Sequence, residues 1–243
     1  MANLKRPGGE LASRPLHFIW VVDCSGSMYG EKIGTVNHAI QSTIPEMADA
    51  AKDNPNAQLL VRTLKFSTGA SWVTTAPVRI EDFAWDDLDA GGVTDLGKAF
   101  EMLAAQLTIP PMSERALPPV LVLLSDGQPT DDYKKSLDKL LHLPWGKKAV
   151  RIAISIGQDA DDDVLEQFTG NRELVLQANN PQALVKMIKW ASTAASVVSA
   201  PASRPKDVEE FAVPKDPGAS NAPLVLDMNN IPDPASIGAG DVW

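Results

Sequence analysis

The sequence predicts an α/β fold: a doubly wound, mostly parallel six-stranded sheet with one antiparallel edge strand, helices on both faces, and a Pro-rich C-terminal tail. Two observations predict the sheet and its helices. Short runs of continuous apolar residues, typical of strands covered on both sides, recur along the chain. Segments with apolar residues every three or four positions, typical of amphipathic helices, lie between them. Because such strands need crossover connections, the sheet they form is mostly parallel.

Three of the predicted strands are continuous apolar runs, and two others flank a tight turn at Ser67–Gly69. A turn of that length joins neighbouring strands that run in opposite directions, which places this pair at the edge of the sheet as an antiparallel hairpin. The six predicted strands are Phe18–Val22, Gln58–Phe66, Ser71–Thr75, Val120–Leu124, Ile152–Ile156 and Glu173–Gln177.

Four helices are predicted from apolar stripes with helical spacing. The last of them spans residues 181–199 and closes the fold. The stripes are Ile33, Val36, Ile40, Ile44, Met47 and Ala51; Leu96, Phe100, Leu103 and Leu107; Tyr133, Leu137, Leu140 and Leu141; and Leu184, Ile188, Ala191, Ala195 and Val198.

The chain of 243 residues divides into a flexible arm (1–14), one domain (15–199) and a tail (200–243). Repeated prolines in the tail prevent long helices and interrupt strands. The tail also sets apolar residues beside acidic ones, at Asp227, Asp233 and Asp241. Two interpretations stay open: a disordered solubilising tail, or a docking segment that orders on this domain, on a second copy or on a partner.

Composition narrows the partners and the compartment. The chain is 44% hydrophobic and 22% charged, as in soluble globular proteins, and its net charge of -9 disfavours nucleic acid or an anionic membrane as a partner while suiting a divalent cation. The single cysteine, Cys24, excludes an internal disulfide. We expect a cytoplasmic protein, since the N-terminus lacks the apolar core of a secretory signal and no apolar run could span a bilayer.

Polar oxygen-bearing side chains follow the first predicted strand. In an extended segment, residues two apart point the same way, so Asp23, Ser25 and Ser27 present three oxygens to one point. By itself this pattern has a simpler explanation, because short polar residues after a strand commonly form a turn or cap the next helix.

Two further segments match the first. The Gly-rich loop Gly91–Gly97 precedes a helix and contains Thr94, and Ser125 and Asp126 directly follow another predicted buried strand, Val120–Leu124. Ligands of open α/β sheets bind beyond the carboxyl ends of strands, where the strand order reverses. If the strands ending at Asp23 and Asp126 are neighbours, all five oxygen-bearing side chains converge.

The residue types indicate the metal. Hydroxyls and carboxylates, without a set of imidazoles or thiolates, favour Mg²⁺, with Mn²⁺ or Ca²⁺ as alternatives, over zinc or copper. The five predicted ligands are Asp23, Ser25, Ser27, Thr94 and Asp126. Mg²⁺ takes about six oxygens, so this set leaves a position that a carboxylate from another molecule can fill.

These motifs resemble the metal-ion-dependent adhesion site of the von Willebrand factor type A (VWA) domain, and the resemblance covers about residues 15–199. It implies a Rossmann-like sheet and direct metal ligation by Ser25, Ser27 and Thr94. Asp23 and Asp126 would then act on the metal through water or support the direct ligands from behind. Residues 23–28 and 124–131 are most similar to bacterial tellurium-resistance proteins of the TerY type. Those proteins are associated with stress-response gene clusters, some of which also encode a kinase and a phosphatase.

We therefore expect a non-enzymatic, Mg²⁺-dependent interaction module that binds an Asp or Glu of a protein partner. One alternative is a regulatory scaffold subunit for a kinase, a phosphatase or an AAA+ ATPase. Another is a metal-dependent phosphohydrolase, which would need a second carboxylate two residues after Asp23, where Ser25 stands.

Three nearby features have structural interpretations. Asp131 is expected to cap the helix that follows it, and the acidic run 159–163 to be a solvated helix start. Cys24, which alternates away from Asp23 and Ser25, is expected to pack in the core.

Overall fold

The computed structural model describes residues 13–52, 54, 56–126, 128–158, 160–199 and 231–232, with side chains of the last helix described through residue 192. Within these ranges, seven strands form one sheet and six α-helices cover it. The strands are β1 (Arg14–Asp23), β2 (Ala57–Ser67), β3 (Gly69–Trp72), β4 (Val78–Arg79), β5 (Val120–Ser125), β6 (Val150–Ile156) and β7 (Val175–Ala178). The helices are α1 (Glu31–Lys52), α2 (Leu96–Gln106), α3 (Tyr133–His142), α4 (Pro144–Lys148), α5 (Asp162–Thr169) and α6 (Pro181–Ser199).

The predicted fold class is confirmed. The strand order is β3-β2-β1-β5-β6-β7, with β4 pairing with β2 beside this path. Strands β1, β2, β5, β6 and β7 are parallel, whereas β3 and β4 run antiparallel to β2. The strand added to the predicted six is β4, which at two residues is too short to show an alternating pattern. Strand β7 begins two residues later than predicted because Arg172–Leu174 forms a 3-10 turn.

The central strand β1 is buried on both faces, which explains its continuous apolar sequence. Phe18, Trp20 and Val22 pack into the cluster under α1 and α6. Ile19 and Val21 point to the opposite cluster, which α2, α3, α4 and α5 cover. The sheet is therefore covered by helices on both faces, as the sequence predicted.

The predicted apolar stripes lie on the buried faces of their helices. Burial of one large apolar side chain contributes about 1.5–3 kcal/mol, so each stripe determines how its helix docks. The buried members of the stripes are Ile33, Val36, Ile40, Met47, Leu96, Phe100, Leu103, Leu107, Tyr133, Leu137, Leu140, Leu184, Ile188 and Ala191. None of the helices in the described ranges is long and apolar enough to cross a bilayer.

The predicted arm and tail lie outside the described residues, except for residues 13, 14, 231 and 232. Arg14 begins β1, and its guanidinium donates hydrogen bonds to the carbonyl oxygens of Arg115 and Ala116 at 2.8 and 2.9 Å. Ile231 is half-buried and packs against the cluster under α1 and α6. One apolar side chain of the tail thus contacts the domain, while the docking segment as a whole stays a prediction.

Candidate metal centre

The candidate site lies where the strand order of the sheet reverses. Strands β1 and β5 are neighbours, and the sheet continues from β1 to β2 on one side and from β5 to β6 on the other. Asp23 ends β1, Ser125 ends β5, and Asp126 follows directly. Ligands of open α/β sheets bind at this point, beyond the carboxyl ends of the strands. The neighbouring strands that the sequence argument required are therefore present.

The Asp23 carboxylate organises the first loop. One of its oxygens accepts a hydrogen bond from the backbone N–H of Ser25 at 2.8 Å, and the other accepts one from the Ser125 hydroxyl at 2.6 Å. Both oxygens are thereby engaged within the protein. This arrangement suits a carboxylate that reaches a cation through water rather than directly.

The hydroxyls of Ser25 and Ser27 have the spacing of adjacent metal ligands. Ser25 precedes a 3-10 turn (Gly26–Met28), and its Oγ lies 3.0 Å from the Oγ of Ser27. Adjacent corners of a Mg²⁺ octahedron with oxygens at about 2.0–2.1 Å are about 2.9 Å apart. Ser25 is buried and Ser27 is exposed, so this pair connects the interior to solvent.

Asp126 supplies the strongest sign of a cation. The residue is 1% exposed, and its Oδ1 has no hydrogen-bond partner among the described residues. A buried carboxylate oxygen without a donor is costly, and buried charges are normally paired or coordinate a metal. The Asp126 side chain therefore fits a cation ligand.

The Gly-rich loop lies between the other two loops and carries Thr94. The backbone N–H of Gly26 donates to the Gly92 carbonyl at 3.0 Å. On the other side, the N–H of Thr94 donates to the Thr130 hydroxyl at 3.0 Å, and the Thr94 carbonyl accepts from the Thr130 N–H at 2.9 Å. The structure thus joins the loops that carry all five predicted ligands.

Ser125 is a residue of this site that sequence reasoning did not assign. It is fully buried, and its hydroxyl donates to Asp23. In the β1–β5 register Val22 pairs with Leu124, which brings the next residues, Asp23 and Ser125, together. The serine before Asp126 could have been assigned once β1 and β5 were known to be neighbours.

Two further carboxylates hold the loops in place. Asp95 accepts a hydrogen bond at 2.7 Å from the N–H of Gly69, the first residue of β3. Asp131 accepts from the N–H groups of Gly97 and Lys98 in the first turn of α2, at 2.9 and 3.3 Å. The prediction that Asp131 caps the following helix, α3, is wrong, because α3 begins beyond Asp132 and the Asp131 side chain turns to α2 instead.

Other metal-ligand candidates do not compete with this site. Cys24 is buried as predicted, and burial raises the pKa of its thiol to about 12, so the thiolate form that binds metals is scarce at neutral pH. Among the described residues, no group of three or more His, Cys, Asp or Glu side chains could hold a metal ion. A cation at the switch point would therefore depend on hydroxyl ligands as well as on the two carboxylates.

The metal-free protein is expected to lose stability as the pH rises from about 4 to about 6. Burial raises the pKa of Asp23 to about 6, opposed by hydrogen bonds from Ser125 and Ser25 and assisted by the charge of Asp126. Between its ordinary value of 3.8 and this pKa, the folded state holds a proton that the unfolded chain has released. The free energy of unfolding therefore falls across this window, by up to about 3 kcal/mol from this group.

Urea unfolding in EDTA from about pH 4 to about pH 7 measures this effect. The control is Asp23→Asn, which cannot release the proton, so the wild-type free energy of unfolding should fall relative to that of the variant. Parallel pH profiles for the two proteins would contradict the assignment.

The fold and the site together define an open-sheet α/β protein in which hydroxyl and carboxylate side chains gather at the switch point of the sheet. The model of the family "von Willebrand factor type A domain" matches residues 18–190, and the chain belongs to this family.

Solved structures share the fold. The pilus adhesin SpaC from Lactobacillus rhamnosus GG is 15% identical with a TM-score of 0.60, covering 74% of this chain and 30% of its own. Proximal thread matrix protein 1 from the mussel byssus, with a zinc-occupied MIDAS motif, is 18% identical with a TM-score of 0.56, covering 77% of this chain and 49% of its own. Manganese-loaded Plasmodium vivax TRAP protein is 17% identical with a TM-score of 0.50, covering 72% of this chain and 74% of its own.

The chain thus spans less than half of the length of SpaC and of the byssus protein. A comparison with curated proteins gives no match. The family model and these structures establish the fold of this chain.

Proposed function

We propose that this VWA domain is a non-enzymatic, Mg²⁺-dependent protein-binding module. Ser25, Ser27 and Thr94 bind the cation directly, and Asp23 and Asp126 bind it directly or through water. The observation that carries the proposal is the Oδ1 of Asp126, a buried carboxylate oxygen without a partner among the described residues. Asp126 directly follows β5, the neighbour of the strand that leads into Ser25 and Ser27.

The chain's own residues explain why a partner is needed. Two carboxylates and three neutral hydroxyls make five ligands, fewer than the six oxygens of a Mg²⁺ octahedron. A bound dication would supply an electrophilic position for a carboxylate from another protein. The exposure of Ser27 gives that carboxylate access from solvent. Oxygen ligands favour Mg²⁺, with Mn²⁺ and Ca²⁺ as alternatives. Because two structural neighbours are named with zinc and with manganese, the test should also compare these dications.

Two features support a binding role over phosphoester hydrolysis. Ser25 stands where the hydrolase mechanism would need its second carboxylate. His17, a potential acid or base, lies at the opposite end of β1, six positions from Asp23 and about 20 Å away at strand spacing. In this proposal neither buried carboxylate serves as a nucleophile or base: Asp23 holds the first loop through its hydrogen bonds, and Asp126 faces the cation.

The setting of the module is also part of the proposal. The similarity of residues 23–28 and 124–131 to TerY-type motifs supports a cytoplasmic role in a bacterial stress response or tellurite resistance. In that setting, the partner that supplies the Asp or Glu would be a kinase, a phosphatase or an AAA+ ATPase, for which this protein acts as a regulatory scaffold subunit.

The test is a partner capture from a lysate of the source organism. The 243-residue chain is immobilised and the lysate is passed over it in Mg²⁺. Bound proteins are eluted with EDTA and identified by mass spectrometry. We expect retention that requires the metal and that disappears in Asp23→Ala, because that change removes the anchor of the first loop. Replacing the partner's acidic ligand by its amide should then abolish retention.

The matched control is Asp132→Ala, which removes an exposed acid that makes no side-chain cap at the start of α3. This variant should retain the partner as the wild type does. A complex that persists unchanged in EDTA would falsify the metal-bridging mechanism, and turnover of phosphoesters that disappears in Asp23→Ala would favour the hydrolase instead.

A further inference from the structure

Two large apolar side chains stand in solvent beside the metal centre. Tyr29 is 79% exposed and Val93 is 45% exposed. Among the described residues, only Ile109 is a comparably exposed large apolar side chain. Tyr29 follows Ser27 by two positions and Val93 directly precedes Thr94, so two of the three exposed apolar residues lie on the loops that carry predicted metal ligands.

These two side chains are called here the apolar rim (Tyr29 and Val93). Main-chain hydrogen bonds join the two loops that carry them. The N–H of Tyr29 donates to the Gly26 carbonyl at 3.2 Å, and the N–H of Gly26 donates to the Gly92 carbonyl at 3.0 Å. Gly92 is the neighbour of Val93. A chain of main-chain hydrogen bonds therefore links the two positions across the loops of the site.

The backbone at each position is fixed from below by a buried neighbour. Met28 is fully buried and anchors the turn that ends at Tyr29. Thr94 is 6% exposed, and the N–H of Val93 lies 3.4 Å from the Thr68 hydroxyl. Because the neighbours point inward, the rim side chains are held outward without further ordering of the loops, which lowers the entropic cost of covering them.

From this arrangement we infer that the acid that completes the metal site belongs to a protein segment in which a large apolar side chain lies within two residues of the Asp or Glu. The inference rests on the proposed function. A carboxylate bound beside Ser27 and Thr94 brings the adjacent part of its own chain over the apolar rim. A polar neighbour there would lose water without gaining a partner, whereas an apolar one removes both surfaces from water.

The inference makes the apolar rim a specificity determinant, while the metal ligands determine that an acid is required. Burial of an apolar side chain of this size changes affinity by about tenfold or more. We therefore expect that every bound peptide contains an Asp or Glu, and that most, though not all, also have an apolar residue beside it.

In the experiment, a library of random linear peptides is panned on the 243-residue chain in Mg²⁺, and bound peptides are eluted with EDTA. The pool from the wild type should be enriched in Asp or Glu with a Leu, Ile, Phe, Met, Val, Trp or Tyr within two residues. In the Tyr29→Ser/Val93→Ser double variant, enrichment of the acid should persist, whereas enrichment of the apolar neighbour should fall by about tenfold.

The control is Ile109→Ser, which removes the third exposed apolar side chain. Ile109 follows the far end of α2, whose eleven residues place it about 16 Å from the site. This variant should give the wild-type pool. A wild-type pool with acids but no apolar neighbours, or apolar enrichment that survives in the double variant, would overturn the inference alone, whereas an EDTA-eluted pool without acid enrichment would overturn the proposed function as well.

Discussion

Asp126→Asn is expected to stabilise the metal-free protein and, at the same time, to abolish its stabilisation by Mg²⁺. The Asp126 carboxylate is 1% exposed, and its Oδ1 lacks a hydrogen-bond partner within the described ranges. Its negative charge also repels that of Asp23. Removing the charge should raise the free energy of unfolding in EDTA by about 1–3 kcal/mol at neutral pH. The wild type should instead gain about 2.7 kcal/mol when Mg²⁺ reaches about a hundred times its dissociation constant.

Thermal unfolding in EDTA and in Mg²⁺ measures both effects. For a domain of this size the Mg²⁺ increment corresponds to a rise in Tm of about 5–10 °C for the wild type, and the variant should show none. The control is Asp132→Asn, which changes an exposed acid six residues after Asp126 and should behave as the wild type in both conditions. If Asp126→Asn were less stable than the wild type in EDTA, the unpartnered oxygen would not be a cost, and the reason for placing a cation beside it would be lost.

Gly92→Ala is expected to destabilise the protein by about 2–3 kcal/mol and to weaken Mg²⁺ binding, although alanine adds only one methyl group. Gly92 has φ of +85°, where a residue with a side chain costs about 1–2 kcal/mol. A Cβ there would also lie 2.5 Å from the Oγ1 of Thr68, so the Thr68 hydroxyl must rotate away or the Gly-rich loop and the β2–β3 turn must separate. A separation of the two loops displaces Thr94, two residues along the chain.

The neighbouring glycine offers the control. Gly91 does not have a positive φ, and a Cβ added to it meets nothing within 4 Å, so Gly91→Ala should leave stability and the Mg²⁺-dependent rise in Tm close to those of the wild type. Adding Thr68→Ala to Gly92→Ala should recover the part of the loss that comes from the contact but not the part that comes from φ. Equal urea midpoints for the two glycine variants would contradict this account of the loop.

The fold was predictable from the sequence because its signals are local. The apolar run Phe18–Val22 is continuous because β1 is covered on both faces, and the helix stripes repeat because each helix buries one face. The two-residue strand β4 has no such periodicity and becomes a strand only because β2 lies beside it. The start of β7 was predicted two residues too early for a similar reason, since the 3-10 turn before it has no distinctive sequence pattern.

The candidate ligands were suggested by residue type and spacing, but the residues that support them were not. Asp131 is a helix cap, as its chemistry suggests, yet it caps α2, which lies 34 residues earlier, rather than the helix that follows. Gly97 provides the space for this contact, because a Cβ there would lie 2.8 Å from the Asp131 carboxylate. Sequence reasoning judged each residue by its neighbours along the chain, whereas these contacts depend on which loops the sheet brings together.

Main-chain hydrogen bonds tie the loops of the metal centre together, as between Gly26 and Gly92, Gly91 and Cys24, and Asp95 and Ser67. Such bonds do not depend on the identity of outward-facing side chains. Positions such as Tyr29 and Val93 can therefore change during evolution without breaking the main-chain hydrogen bonds between the loops. A paralogue could acquire a different binding preference through a few surface substitutions and keep the proposed cation site, which makes this edge of the sheet a favourable starting point for diversification and for engineering.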